Sequence, residues 1–348
     1  MQNTVKLSFI IPIYNAEKTL RDAVESILRQ DNGCIEIILV DDGSTDSSPR
    51  ICEELERQYP IVSAIHQKNK GSLAARMAGA DAAKGEYLLF VDADDSILDG
   101  GIAHIFQDIS SRADLYLYDY VMESVGGKSA KTVRLMSDME VRNFSVENKA
   151  EISRVFMSGM MNTVCATGIR RTCYERIRDF QYPEKLQNGE DRLQKLQLLI
   201  AAETIVYVPY AFYYYKWVSG SQGNNLRRGL FSQKIYEDFV AVWTIERSSY
   251  EKLGFSKSEA LNYDCNKLNR VCGLLEQLFL QSENRKATLA LIQYIAEDEL
   301  FYTISEKKIR RYGRTHLRIT AFLLRNHCMS LLTLYWRICG YIRNAVHK

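Results

Sequence analysis

The stretch EYLLFVDADDS, residues 86–96, joins a continuous apolar run to three aspartates, Asp92, Asp94 and Asp95. A short apolar run of this kind is typical of a β-strand that is buried on both faces. Carboxylates about 4 Å apart repel each other by a few kcal/mol at an intermediate effective dielectric. A cluster like this at a strand end is therefore expected to lie in solvent or beside a cation.

Strand-like and helix-like patterns alternate on the N-terminal side of this stretch. Apolar runs predict strands at 7–13, 36–40 and 61–65, before the strand at 86–91. The segments between them have helical periodicity, and Pro49 after Ser47 and Ser48 is typical of a helix start. Alternating strands and helices predict a doubly wound α/β fold with a parallel sheet.

Ligands of such a sheet bind beyond the carboxyl ends of its strands. The residues at and just beyond the ends of the predicted strands should therefore share one edge. They are Pro12, Tyr14 and Asn15 after the first strand, Asp41 and Asp42 after the second, and Asp92, Asp94 and Asp95 after the fourth.

The aspartate cluster suits a hard divalent cation. Asp92 and Asp94, two residues apart, with Asp95 beside them, offer oxygen ligands for Mg²⁺ or Mn²⁺, which usually complete their shell with water and substrate phosphates. The alternative is a solvated acidic turn or a helix cap.

Three segments, in this order, resemble the family 2 glycosyltransferases. They are SFIIPIYNAEKTL (8–20), IILVDDGSTDSS (37–48) and NKGSLAARMAGADAAKGEYLLFVDADD (69–95), and the resemblance returns at NGEDRLQKLQLL (188–199). It implies an α/β fold of the GT-A type, Rossmann-like with a doubly wound mixed sheet, followed here by a helical C-terminal extension. It also implies that a nucleotide-sugar, most simply a UDP-sugar, is the donor.

The resemblance implies roles for the residues at the sheet edge. Asp42 would bond the uracil edge with support from Asp41, although both could instead cap a turn. Arg76 would contact the pyrophosphate or pocket carboxylates, unless it is an ordinary solvent-facing helical arginine. The implied nucleotide-sugar residues are Pro12, Tyr14, Asn15, Asp41, Asp42, Gly71, Arg76, Asp92 and Ala93, and the implied metal ligands are Asp94, Asp92 and Asp95.

The pair Glu190 and Asp191 matches the catalytic pair of the family, which implies that Asp191 is the general base with Glu190 beside it. An acceptor hydroxyl needs a positioned carboxylate to take its proton. One in-line displacement would then invert the anomeric centre. Without the resemblance, the two acids could simply favour the start of a helix.

The acceptor side is less defined. The family often has an arginine where this chain has Lys216, so a phosphate contact there would be less bidentate. Trp217 and Ser221 are the neighbouring candidates for acceptor or phosphate contacts.

The chain is expected to form a catalytic domain over 1–228, with a nucleotide-sugar half (1–100) and an acceptor half (101–228), and a helical region over 229–348. Residues 302–348 carry ten Lys and Arg against one acid, whereas the formal charge of the whole chain is +2. This basic amphipathic tail predicts contact with an anionic membrane surface. The alternative is packing on its own protein, in a monomer or a homodimer. No nucleic-acid-binding module accompanies the charge, so no nucleic-acid partner is expected.

The eight cysteines have no CxxC spacing and the five histidines no ligand spacing, so structural thiols in a reducing compartment are expected. The N-terminus has no signal-peptide pattern. The sequence therefore predicts a cytoplasmic, metal-dependent inverting glycosyltransferase, peripheral on the inner face of the cell membrane, that uses a glycan or lipid-linked acceptor in surface polysaccharide synthesis. The alternatives are an inactive membrane-associated scaffold and a sugar nucleotidyltransferase. A nucleotidyltransferase would have a Gly-rich loop near its first strand, which the segment PIYNAEKTL lacks.

Overall fold

The chain divides into two compact units, Met1–Ser219 and Gly220–Lys348. The boundary predicted between 228 and 229 lies outside the described residues. This computed structural model describes residues 5–124, 126–137, 139–183, 186–217, 232–281, 284–299, 309 and 315–346.

Strands and helices alternate from Leu7 to Phe90, as the sequence pattern predicts. The strands at Leu7–Ile13, Ile35–Asp41 and Tyr87–Phe90 are largely buried, whereas Val62–His66 is mostly partly exposed. The helices turn apolar side chains toward the sheet. In chain order the elements are β1 (Leu7–Ile13), α1 (Leu20–Leu28), β2 (Ile35–Asp41), α2 (Ser48–Gln58), β3 (Val62–His66), α3 (Ser72–Ala82) and β4 (Tyr87–Phe90).

The rest of the first unit adds strands to the same sheet. Its elements are β5 (Ser96–Ile97), α4 (Gly101–Asp108) with a 3₁₀ turn at Ile109–Ser111, β6 (Leu115–Glu123), β7 (Ala130–Val133), β8 (Arg142–Ser145), α5 (Lys149–Ser158), β9 (Thr167–Arg170), α6 (Arg171–Glu175), α7 (Glu190–Ala201) and β10 (Thr204–Tyr215).

The strands form one mixed sheet in the order β3-β2-β1-β4-β9-β6-β10-β5, with β7 beside β6 and β8 beside β10. The first four strands in this order are parallel, and β9 runs antiparallel to both of its neighbours. The predicted mixed α/β sheet is therefore confirmed.

The sheet has a topological switch point at β1. β2 and β4 lie on opposite sides of β1, and ligands of open α/β sheets bind at such a reversal, outside the carboxyl ends of the strands. Ile13 pairs with Asp41 across β1 and β2, and the amide of Val91 donates to the carbonyl of Ile10 at 3.0 Å. The segments that follow β1, β2 and β4 therefore lie side by side.

The second unit is helical, which confirms the predicted helical C-terminal region. Within the described residues, no helix is both long and apolar enough to cross a membrane. Large apolar side chains, among them Trp243, Leu275 and Trp336, fill its core. The helices are α8 (Gln233–Ser249), α9 (Lys257–Gln281), α10 (Arg285–Ala296), α11 (Thr315–Arg325) and α12 (Met329–Val346).

Helix α3 packs closely on the sheet through Gly79. A Cβ at this position would overlap Cγ2 of Ile10 and lie 3.1 Å from Cγ2 of Val40. Only glycine allows this approach, because the facing atoms belong to buried β-branched side chains. Arg76 lies on α3 less than one turn before Gly79, so this contact also sets how deeply Arg76 enters the carboxyl edge.

We expect Gly79→Ala to lower the free energy of unfolding by about 1–3 kcal/mol, because the methyl group must displace α3 or distort β1. Gly273→Ala, on α9, is the control: a Cβ there meets no atom of the described residues within 4 Å. Alanine should stabilise that helix by up to about 1 kcal/mol. Thermal unfolding of the two variants measures both effects, and a Gly79→Ala protein as stable as wild type would contradict the packing.

Candidate active site

Asp42 closes the loop that leads into α3. Its Oδ1 accepts hydrogen bonds from Nε2 of Gln67 (2.7 Å) and the amide of Lys70 (2.9 Å), and its Oδ2 accepts one from the amide of Gly71 (2.7 Å). Gly71 has φ +91°, which favours glycine, and lies before the first turn of α3. Asp42 therefore shapes the loop, and Oδ2 keeps capacity for one more donor.

Asp41 serves the turn after β2. Its Oδ1 accepts a hydrogen bond from the amide of Ser44 (3.0 Å), and its Oδ2 lies 3.1 Å from Nδ1 of His66. The carboxylate is buried. This geometry fits the turn-capping alternative for Asp41.

Asn15 links the loops that follow β1 and β2. It adopts a left-handed backbone with φ 52°; its amide donates to Oγ of Ser44 (3.0 Å), and its Oδ1 accepts from the amide of Thr45 (2.8 Å). Beside it, the side chain of Tyr14 is 54% exposed, whereas Pro12 is partly buried. Tyr14 thus offers an aromatic surface at the switch point, while Asn15 holds the loop that presents it.

Arg76 joins the two acidic motifs. Its guanidinium is only 3% exposed and forms ion pairs with Asp92, at 2.9 Å from Nη2 to Oδ1, and with Asp191 through Nη1. Burial disfavours the charged form of Arg76, but Asp191 and Asp92 outweigh it and raise its pKa above the ordinary value. The predicted contact of Arg76 with pocket carboxylates is present, and the solvent-facing alternative does not describe its position.

Asp191 lies in the first turn of α7, after Gly189 at φ +94°. Besides Arg76, it accepts a hydrogen bond from the backbone of Val164, and its Oδ2 lies 3.5 Å from Oγ1 of Thr163. The side chain is still 23% exposed, so a second molecule can reach it. Burial raises the pKa of Asp191, and Arg76 only partly offsets that effect.

Glu190 lies beside Asp191 and contacts α3, because Oγ of Ser72 donates to its Oε1 at 3.0 Å. Burial, together with the charge of Asp191, raises the pKa of Glu190. Glu190 therefore connects the start of α7 to the start of α3.

The three aspartates after β4 have different surroundings. Asp95 is buried; its Oδ2 accepts from the hydroxyl of Tyr213 (2.5 Å) and its Oδ1 from the amide of Lys216 (2.8 Å). Asp95 thus links the loop after β4 to the end of β10. Ala93 is buried as well.

Asp92 and Asp94 are only partly buried. Burial and the neighbouring charge of Asp92 raise the pKa of Asp94 to about 6. The negative charge there is thus incompletely compensated by protein groups, which fits a cation held by these two side chains.

The acceptor-side candidates lie at the end of β10. Lys216 contacts Asp95 through its backbone, and the amide of Trp217 donates to Oε2 of Glu123 at 3.0 Å. Nε1 of the Trp217 indole is buried and has no hydrogen-bond partner among the residues that the structure describes. Ser221 lies outside the described residues.

Lys195 is a site residue that the sequence reasoning missed. It follows Asp191 by four residues on α7, is buried, and donates to Oγ1 of Thr167. Burial lowers the pKa of Lys195 to about 7, and the negative charge of Asp191 opposes this effect only in part. The available signal was its spacing, because residues four apart share a helical face.

Comparison with known proteins agrees with this geometry. The family model described as Glycosyl transferase family 2 matches residues 8–178. Residues 8–178, about half of the chain, belong to glycosyl transferase family 2. The glycosyltransferase GlyG of Streptococcus pneumoniae is 44% identical over 116 residues, which are 33% of this chain and 38% of GlyG. EpsH of Bacillus subtilis, a putative glycosyltransferase, is 28% identical over 242 residues, which are 68% of this chain and 69% of EpsH.

The fold is also similar to solved structures. A crystal structure of Staphylococcus aureus TarS 1–349 in complex with UDP-GlcNAc has a TM-score of 0.72 and 21% identity, and the match covers 98% of this chain and 92% of that one. TarS is a poly(ribitol-phosphate) beta-N-acetylglucosaminyltransferase. The predicted family and GT-A fold are confirmed.

We expect Arg76→Met to destabilise the first unit by about 3–5 kcal/mol, because it leaves Asp92 and Asp191 without their shared counter-charge. Arg178→Met is the control: Arg178 pairs with Asp81 at 3.0 Å on the surface, where both side chains are about half exposed. Such a pair contributes about 0–1 kcal/mol. Equal unfolding midpoints for the two variants would contradict the central role of Arg76.

Proposed function

We propose that the protein transfers a sugar from a UDP-sugar to a glycan or lipid-linked acceptor of the cell envelope, with inversion of the anomeric centre. The proposal rests on the double ion pair of Arg76, which joins Asp92, in the aspartate cluster after β4, to Asp191, beside Glu190 at the start of α7. The residues proposed to bind the UDP-sugar and the carboxylate proposed to accept the proton thus belong to one site.

The donor half is supported by the switch-point geometry. Tyr14 offers an exposed ring for a base or ribose, and Oδ2 of Asp42 can accept one more hydrogen bond, as from a uracil N–H. Arg76 and the first turn of α3 favour negative charge nearby, where the diphosphate would lie. TarS binds UDP-GlcNAc and UDP in its crystal structures, which supports a UDP-linked donor here.

Asp92 and Asp94 are the proposed ligands of Mn²⁺ or Mg²⁺, and Asp95 holds them in place through Tyr213 and Lys216. When bound, the cation would offset charge on the diphosphate leaving group. Arg76 adds to this stabilisation with a fixed, buried positive charge.

Asp191 is the proposed general base. Arg76 binds Oδ1, and Oγ1 of Thr163 lies 3.5 Å from Oδ2, so Oδ2 is the oxygen proposed to take the proton of an acceptor hydroxyl. The raised pKa of Asp191 makes it a stronger base than an exposed aspartate. Attack by the acceptor oxygen forms the new glycosidic bond as the bond to the diphosphate breaks, so a single displacement inverts the centre and no covalent enzyme intermediate is needed.

The acceptor class is proposed from the relatives. TarS acts on poly(ribitol-phosphate), and GgaA of Bacillus subtilis, 33% identical over 158 residues, is a minor teichoic acid biosynthesis protein. Lys216, Trp217 and Ser221 are the candidate acceptor or phosphate contacts.

We expect the purified protein to release UDP from at least one UDP-sugar in the presence of Mn²⁺, and EDTA to stop this release. Asp94→Asn should lower the rate about 100-fold or more, since several kcal/mol of transition-state stabilisation is lost. Asp81→Asn, on the surface, is the control. Binding of UDP without any metal-dependent turnover across UDP-, GDP- and dTDP-sugars would favour the inactive scaffold instead.

We also propose that α11 and α12 contact an anionic membrane surface. Phe322 on α11 and Leu331, Leu334, Ile338 and Tyr341 on α12 are large apolar side chains that are about half exposed or more. The α12 residues recur at steps of three or four, so they share one helical face. The net charge of +9 over 302–348 complements anionic lipid.

We expect the full chain to float with phosphatidylglycerol vesicles and not with phosphatidylcholine vesicles. The double variant Leu334→Gln and Ile338→Gln should weaken binding by about tenfold or more, because partial burial of two such side chains is worth more than about 1.4 kcal/mol. Leu280→Gln, exposed on α9, is the control. Absence of flotation together with a dimer in solution would assign the face to a second copy of the chain.

A further inference from the structure

Three helices of the second unit bring a carboxylate, an imidazole and a thiol together. The residues are Glu276 on α9, His316 on α11 and Cys339 on α12, and their ligand atoms all lie within 4.8 Å of one another. Nε2 of His316 is 3.3 Å from Oε2 of Glu276. Among the described residues, this is the one group of three His, Cys, Asp or Glu side chains that converges in this way.

The convergence follows from helix packing. α11 and α12 are joined by only three residues, 326–328, and Nε1 of Trp336 lies 3.4 Å from Oγ1 of Thr320, so the two helices pack side by side in opposite directions. Nδ1 of His316 lies 3.2 Å from the hydroxyl of Tyr335. This register places Cys339, one turn beyond Tyr335, next to His316. On the third helix, the ring of Phe279 packs on Trp336 at 5.8 Å between centroids and brings Glu276 to the same point.

The ligand types favour zinc. A Zn²⁺ ion bonds imidazole nitrogen and carboxylate oxygen at about 2.0–2.2 Å and thiolate sulfur at about 2.3 Å, at tetrahedral angles. The three ligand atoms already lie within 4.8 Å of one another, so small side-chain rotations would bring them to these distances from one ion. Tyr335 contacts Nδ1 of His316 and thereby directs Nε2 toward Glu276, as an outer-shell partner does in metal sites.

Charge is consistent with this assignment. Glu276 is only 2% exposed, and a divalent cation would balance the charges of its carboxylate and of the Cys339 thiolate.

We propose that Glu276, His316 and Cys339 form a structural zinc site that ties α9, α11 and α12 together, with water as the fourth ligand. The site is separate from the aspartates of the first unit. It requires deprotonation of the Cys339 thiol on binding, with release of that proton to solvent.

The test uses the full chain, purified without a histidine tag, stripped with a chelator and titrated with Zn²⁺ against a chromophoric chelator. We expect one equivalent to bind and to raise the thermal unfolding midpoint, because a ligand that prefers the folded state stabilises it. Replacement by Co²⁺ should give a thiolate-to-cobalt charge-transfer band.

Cys339→Ala and His316→Gln should each remove the stabilisation and the cobalt band. Cys328→Ala is the matched control, since this partly buried thiol lies between α11 and α12 but outside the group. Asp94→Asn should keep the bound zinc, which separates this site from the donor site. If stripped wild type gains no stability from Zn²⁺, or if Cys339→Ala binds it as tightly as wild type, the proposal is overturned and Glu276–His316 is a plain ion pair.

Discussion

The buried guanidinium of Arg76 is the constraint on which the candidate site depends. It compensates two carboxylates that come from different parts of the chain, Asp92 after β4 and Asp191 at the start of α7. Without that charge, both carboxylates would repel each other at an edge that is partly shielded from water. One side chain therefore holds the proposed donor and acceptor sides at a defined separation.

Other features of the first unit support Arg76. Gly79 lets α3 approach β1, which brings Arg76 to the carboxyl edge of the sheet. Asp42 fixes the loop before α3 through Lys70 and Gly71, and Asp95 fixes the loop after β4 through Tyr213. These contacts cross the sheet from β2 to β10. The ion pairs of Arg76 with Asp92 and Asp191 are thus positioned by backbone contacts and side-chain packing of residues that have no proposed role in the reaction.

Much of the first unit could be predicted from the sequence. The strands β1 to β4 are apolar runs, and parallel strands bring the residues after them, such as Asp42 and Asp92, to one edge. The resemblance to family 2 glycosyltransferases added two predictions: Arg76 as a contact of the pyrophosphate or of pocket carboxylates, and Asp191 as the general base. What local patterns do not contain is pairing over long distances: Asp191 is 115 residues from Arg76 in sequence, and only the packed structure shows their contact.

Contacts between residues far apart in sequence also distinguish side chains that the sequence alone does not. Asp92, Asp94 and Asp95 look alike in sequence, yet only Asp95 is buried, with one oxygen bonded to Tyr213 and the other to the amide of Lys216. His316 has no ligand spacing along the chain because its neighbours, Glu276 and Cys339, lie on other helices. Periodicity predicts each helix by itself, but the register between helices arises from packing of side chains such as Trp336 and Phe279.

We propose that Arg76 holds a proton acceptor, Asp191, beside a donor site to whose affinity Asp191 contributes little. The most direct measurement compares Asp191→Asn with wild type in two assays: UDP affinity by calorimetry with Mn²⁺, and sugar transfer or donor hydrolysis. Because asparagine keeps the shape and can still accept from Arg76, the account predicts UDP affinity within about threefold of wild type and a rate lower by roughly 10²–10⁴-fold. A variant that keeps the wild-type rate would contradict it.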